Sequence, residues 1–164
     1  MENAKEYEIR NVSVRLCEEA PVYACLPLTT PDQVVDFLER HIGDRDREYL
    51  VMIHLDTRRR VKSVTTVSEG TVNDTVTTMR EIYKTAVLEN AESVILAHNH
   101  PSGITDPSDD DISLTRRAAL AGALMGIRLL DHLIVSRGFP SFSFHESRPD
   151  VLDGAAGKVE AILR

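Results

Sequence analysis

Two histidines spaced two apart at the end of an apolar run, then a Gly/Pro turn and an aspartate at a helix start, constrain this chain more than anything else in it. The stretch is Ala97-His98-Asn99-His100-Pro101-Ser102-Gly103-Ile104-Thr105-Asp106-Pro107-Ser108-Asp109-Asp110-Asp111. The residues before it, Ser93-Val94-Ile95-Leu96, are short, β-branched and bounded by polar residues, the pattern of a buried strand. If the strand continues through the histidines, its period of two puts His98 and His100 on one face, where both imidazoles reach one cation. Pro101, Gly103 and Pro107 then turn the chain into a helix starting at Ser108, which can bring Asp111 back to the histidines.

Two imidazoles, a carboxylate and an open fourth position match a hydrolytic zinc site, whose vacant corner holds a water with a pKa of about 7. Each residue alone has a plainer explanation. Ser108-x-x-Asp111 before an apolar run is a helix capping box, and acidic first-turn residues suit the helix dipole. The conjunction of all four at these spacings favours the metal, and a capped first turn would also hold the Asp111 carboxylate in a fixed orientation.

The pattern His-x-His, seven residues, Ser, two residues, Asp resembles the signature of the JAMM metalloproteases, the MPN-plus or JAB domains, and is met at His98, His100, Ser108 and Asp111. The words Leu96-Ala97-His98-Asn99-His100-Pro101-Ser102-Gly103 and Leu130-Asp131-His132-Leu133-Ile134-Val135 resemble the RadC branch more closely still. The resemblance covers roughly residues 30 to 146; that family's usual amino-terminal helix-hairpin-helix region has no counterpart in this sequence. It implies a cytidine-deaminase-like α-β-α sandwich with zinc (Zn2+) held by His98, His100 and Asp111. Glu48 would be the base that accepts a proton from the water, Ser108 a group that stabilises the tetrahedral oxyanion, and the bond cut an amide of a protein or peptide substrate. Glu48 matches the family's glutamate by context, at the mouth of an apolar strand. Its competitors fit less well, since Glu69 follows a strand and Glu81 lies within a helical pattern. His132, between apolar strand neighbours, reads as a satisfied core histidine or a support for a ligand rather than as a ligand; Asp131 either orients it or caps the turn.

Other segments supply a scaffold. Thr30-Pro31-Asp32-Gln33 opens a helix with a threonine cap and a capping-box glutamine; Val34, Val35, Leu38 and His41-Ile42 form its stripe, and Gly43 ends it. Residues 47–56 are apolar on both faces, as in a covered central strand, and Val61 to Val67 returns as a hairpin partner after Arg58-Arg59-Arg60. Residues 79–88 read as an amphipathic helix, and the helix from Ser108 runs to Gly126. Residues 127–135 form another strand, and Phe139 to Phe144 a further short one. Beyond Glu146 the pattern fades, with Val159, Ile162 and Leu163 left for a short terminal helix. Near the amino terminus Tyr7 to Leu16 alternates like a half-exposed strand, with Ile9 out of phase, followed by a proline-rich connector. The expected organisation is an α/β domain, a three-layer α-β-α sandwich around a mixed sheet, over residues 30–146. Residues 1–29 would pack on it as a strand and connector, and 147–164 would be a tail.

At 164 residues and 42% hydrophobic content the chain suits one domain with a sizeable core. No apolar run is long enough for a bilayer and the first residues do not read as a signal peptide, so a cytoplasmic protein without membrane contact is expected. Cys17 and Cys25 form no Cys-x-x-Cys pair and fit a reducing compartment. A net charge of -7 opposes a phosphate backbone, so DNA binding is not supported; Arg58-Arg59-Arg60 with Lys62 is the one basic candidate, and it reads as a solvated hairpin tip.

Three rivals to a zinc peptidase remain. The RadC name implies DNA repair, which would make the chain a metal-binding accessory protein without peptidase activity. An HNH nuclease spreads its residues over a ββα unit, so His98-Asn99-His100 in a row does not fit. A zinc deaminase needs a Pro-Cys-x-x-Cys pair and a His-x-Glu, neither of which is present.

Overall fold

The computed structural model of the protein describes residues 30–70 and 77–163, together with Ser13, Cys17, Glu19 and Leu28. The expected strand at Tyr7 to Leu16, the connector after it and Cys25 therefore fall almost wholly outside the described residues; Cys17 is an exposed free thiol.

The sheet is mixed and five-stranded, in the order β2-β1-β3-β4-β5. Its strands are β1 (Tyr49–Leu55), β2 (Val61–Glu69), β3 (Ser93–Asn99), β4 (Arg128–Val135) and β5 (Phe142–Ser143). β1 and β3 are antiparallel, with Leu50 opposite His98, whereas β3 and β4 are parallel, with Leu96 opposite His132 and Ile134 opposite His98. Five of the seven residues of β3 are apolar or small and nearly all are buried, as a strand covered on both faces requires. The β1–β2 hairpin is closed by Asp56, whose carboxylate accepts the backbone N–H groups of Arg58 and Arg60 and the Arg60 guanidinium. Residues 57–60 are exposed, so the three arginines form a hairpin tip rather than part of a basic face.

Helices cover both faces. α1 (Pro31–His41) begins at the Thr30 cap with the expected capping box and puts Val34, Phe37 and Leu38 against Val51, Ile53, Leu55, Ala97, Leu133 and Val135. The opposite face carries α2 (Met79–Leu88), α3 (Asp109–Met125) and α5 (Pro149–Leu163), which bury Ile82, Tyr83, Leu114, Ala118, Val151 and Leu152 on Leu50, Met52, Val94, Leu96 and Ile134. Small residues let α3 approach closely. A Cβ on Gly122 would lie 2.3 Å from the Ile127 carbonyl and 2.4 Å from the Tyr83 hydroxyl, which bonds the Ala118 carbonyl at 2.8 Å. Among the described residues no helix is long and apolar enough to cross a membrane.

Two segments depart from the sequence reading. Phe139 to Phe144 yields only the two residues of β5, because Ser143 accepts the Glu146 N–H and starts the short helix α4 (Phe144–Ser147). The terminal helix is much longer than expected: α5 begins at Pro149, and its first turn buries Val151 and Leu152. Gly154 and Gly157 lower its helix propensity, so docking on α3 supports the helix.

Candidate metal centre

The strand and capping-box readings meet at one point. His98 is the penultimate residue of β3 and fully buried, and His100 prolongs the strand by donating its backbone N–H to the Val135 carbonyl at 3.1 Å. The turn after it carries Gly103 at φ 83°, where a Cβ would also lie 2.9 Å from the Phe139 ring. The left-handed backbone favours glycine there, while the exposed Phe139 ring is free to give way. Ser108 caps α3 with both arms of the box in place: its hydroxyl donates to Asp111 Oδ2 at 2.6 Å and accepts the Asp111 N–H at 3.2 Å, while its own N–H reaches Oδ2 at 2.8 Å. The cap aims Asp111 inward, and its other oxygen, Oδ1, lies 3.1 Å from His98 Nε2. The Nε2 atoms of His98 and His100 are 3.0 Å apart, and His100 Nε2 is 3.6 Å from Asp111 Oδ2. One ligand atom from each of the three residues lies within 4.8 Å of the others, so the group could hold a metal ion.

The chemistry of the donors fits a cation. His100 Nδ1 faces the Ile104 carbonyl at 2.6 Å, an acceptor only, so that nitrogen carries the ring proton and Nε2 is left with its lone pair. Burial works against the charge of Asp111, yet contacts with His100, His98 and Ser108 outweigh it and hold the carboxyl well below its usual range. His100 is shifted the other way: Asp111 beside it raises its pKa against the effect of burial, and the Ile104 carbonyl and the charge of Glu48 add to the rise. A buried carboxylate beside two imidazoles is stabilised by positive charge between them, whether a proton or a metal supplies it.

Glu48 immediately precedes β1 and is half-buried, and its carbonyl accepts the Gly70 N–H at 2.9 Å. It is two residues before Leu50, which pairs with His98, so alternation puts Glu48 on the face that carries His98 and His100. Glu69 does not share that face. It pairs with Tyr49, and its carboxylate lies 3.8 Å from the Arg47 guanidinium on the exposed edge. Glu81 is exposed on α2 and pairs with Lys84 at 2.5 Å.

Asn99 sits between the two histidines and points to the opposite face, fully buried. Its Oδ1 accepts the Tyr49 N–H at 2.7 Å and its Nδ2 donates to the Arg47 carbonyl at 3.0 Å, so it fastens the backbone on both sides of Glu48. Sequence reasoning treated Asn99 only as part of a chance His-Asn-His string. It also passed over Thr115, although Thr115 is one helical turn from Asp111 and so on the same side of α3. His132 is fully buried beside His98 rather than in the ligand group, and it stacks on Phe144 at 5.3 Å. Burial, followed by the nearby His98, lowers its pKa well below the ordinary value. Asp131 does not touch the His132 ring; it accepts the His132 N–H, the Ser143 hydroxyl and the His145 N–H, and so ties β4 to β5 and α4.

Comparison with known proteins gives a family for this arrangement. The family described as RadC-like JAB domain matches residues 28–149. A UPF0758 protein of Pelobacter propionicus is 44% identical over 110 residues, covering 67% of this chain and 48% of that protein. The UPF0758 protein GSU0386 of Geobacter sulfurreducens is 44% identical over 115 residues, 70% of this chain and 50% of its own. A UPF0758 protein of Neisseria gonorrhoeae is 40% identical over 128 residues, 78% of this chain and 56% of its own. The chain thus spans about half the length of the curated relatives it matches.

Proposed function

The chain belongs to the RadC-like JAB domain family, and we propose that its buried His98, His100 and Asp111 bind zinc and that the protein hydrolyses amide bonds of peptides or isopeptides. The observation that carries this reading is the convergence of two imidazole Nε2 atoms and one carboxylate oxygen at one largely buried point, with a glutamate on the same face of the sheet.

When bound, zinc supplies a Lewis acid that polarises the scissile carbonyl and makes a water acidic near neutral pH. The chain's own residues do the rest. Glu48 accepts a proton from the attacking water as its oxygen adds to the carbonyl carbon. The carboxylic acid so formed returns that proton to the amine nitrogen as the C–N bond breaks. Ser108 first orients Asp111 through the capping box; by turning its hydroxyl from Asp111 to the substrate, it would stabilise the tetrahedral oxyanion. Asn99 keeps Glu48 in place by holding the backbone on either side of it.

Elemental analysis of the purified protein, followed by cleavage assays on peptide and isopeptide substrates with and without a chelator, tests the proposal. About one zinc per chain with chelator-sensitive cleavage is expected. Zinc without cleavage would leave a metal-binding module, and a chain that takes up no metal would remove the reading altogether.

A further inference from the structure

The centre is connected to groups that the proposed reaction does not use. Thr115 lies on α3 and is fully buried, and its hydroxyl is 2.6 Å from the Asp111 carbonyl and 2.6 Å from His132 Nδ1. On the far side of the ring, His132 Nε2 is 2.8 Å from His98 Nδ1. A threonine hydroxyl often bonds back to the carbonyl four residues earlier in a helix, so the first contact alone would mean little. The second and third contacts are not explained that way.

These contacts have one consistent proton order. The Asp111 carbonyl can only accept, so the single hydroxyl proton of Thr115 goes to it. The hydroxyl oxygen is then an acceptor towards His132, and His132 Nδ1 carries the ring proton. A fully buried, neutral imidazole has only one such proton, which leaves His132 Nε2 as an acceptor. His98 Nδ1 must therefore be the donor, and His98 Nε2 is the nitrogen left to face Asp111 and His100. The reverse order would place two oxygen acceptors 2.6 Å apart with no proton between them, in a position sealed from water.

We propose that Thr115 and His132 form a directional hydrogen-bond relay that fixes His98 as its Nδ1–H tautomer and so holds His98 Nε2 ready to ligate the metal. The relay rests on reading the centre as a metal site. Both are positioning residues: neither touches substrate, and each acts through His98. The chain of bonds begins at the backbone of one ligand, Asp111, and ends on the ring of another. It therefore also locks α3, β4 and β3 into the spacing that the centre needs. Partners beyond the ligands commonly change metal affinity by about 10- to 100-fold when lost.

Two measurements test the relay. Zinc affinity is measured by competition with a chromophoric chelator for the wild type, Thr115→Val and Thr115→Ser. Valine keeps the shape and removes the hydroxyl, and about 10- to 100-fold weaker binding is expected, with serine restoring most of the loss. Equal affinity of the valine variant and the wild type would overturn the relay, as would a serine variant no better than valine. Long-range 15N–1H NMR of the wild-type imidazoles, metal-free and mildly alkaline, reads the tautomer directly and needs no variant. His98 with a proton on Nδ1 is expected, whether or not Nε2 also carries one towards Asp111, and a His98 protonated on Nε2 alone would refute the proposal. If the wild type takes up no zinc, the metal reading fails, while the NMR result still decides the relay.

Discussion

Glu48→Gln separates catalysis from structure at this centre. Glutamine keeps the length and shape of the side chain, and the Glu48 carbonyl that accepts the Gly70 N–H belongs to the backbone and is untouched. The side chain is half-buried, so loss of its charge is partly screened, and folding stability should change by no more than about 0.5 kcal/mol. Zinc content should stay at the wild-type level, because the three ligand atoms come from His98, His100 and Asp111. The amide can no longer take a proton from the attacking water. Loss of a general base typically lowers the rate by about 10² to 10⁴, or about 3 to 5 kcal/mol of barrier. The assay is kcat/KM on a cleavable peptide, with metal content and melting temperature measured on the same preparation. Glu81→Gln is the control: it removes only an exposed pair with Lys84, worth about 0.2 to 0.5 kcal/mol, and should leave activity and zinc unchanged. A Glu48→Gln enzyme with wild-type kcat/KM would show that another group accepts the proton. Loss of zinc with loss of activity would show that Glu48 acts on the metal rather than on the water.

The other predictions concern ligands, support and surface. His98→Ala or His100→Ala should abolish stoichiometric zinc, since two remaining ligands bind weakly; elemental analysis that finds undiminished metal in both would dismiss the site. Asn99→Ala should cost about 1 to 3 kcal/mol in denaturant unfolding, because the Tyr49 N–H and Arg47 carbonyl lose their partner, and should speed hydrogen exchange over residues 45–49; unchanged exchange there would show that Asn99 does not hold the Glu48 segment. Burial lowers the pKa of His54, which lies between Ser63 and Thr85, and outweighs the opposing charge of Glu89. The folded protein then binds fewer protons there than the unfolded chain, so stability falls as pH drops below about 6.5 and the loss levels off below the folded-state value. His54→Gln should flatten that part of a melting-temperature profile, and an unaltered slope would place the acid sensitivity elsewhere. Duplex DNA should not bind at submicromolar concentration in physiological salt, given the net charge of -7 and an arginine turn confined to a hairpin tip; tight binding that weakens steeply with salt would contradict this.

Much of the centre was legible in the sequence because its parts are local. The two-residue spacing of His98 and His100 is a strand period, Ser108 and Asp111 are a capping box, and the Gly/Pro turn between them is short enough to bring the pieces together. The central strands, α1, α2 and α3 were legible for the same reason, each written in a periodicity and a cap within about 20 residues. Tertiary structure decided everything that depends on register across long separations. The antiparallel pairing of β1 with β3 puts Glu48 on the histidine face and Glu69 on the other, and one residue of slip would reverse both. The parallel pairing of β3 with β4 brings His132 to His98 across 34 residues, and the docking of α3 brings Thr115 to His132. α5 docks on α3, which supports a helix whose own propensity Gly154 and Gly157 lower. Caps and periods act between near neighbours and are written in order along the chain. Register and docking are set by the shared burial of distant faces, which no single stretch of sequence contains.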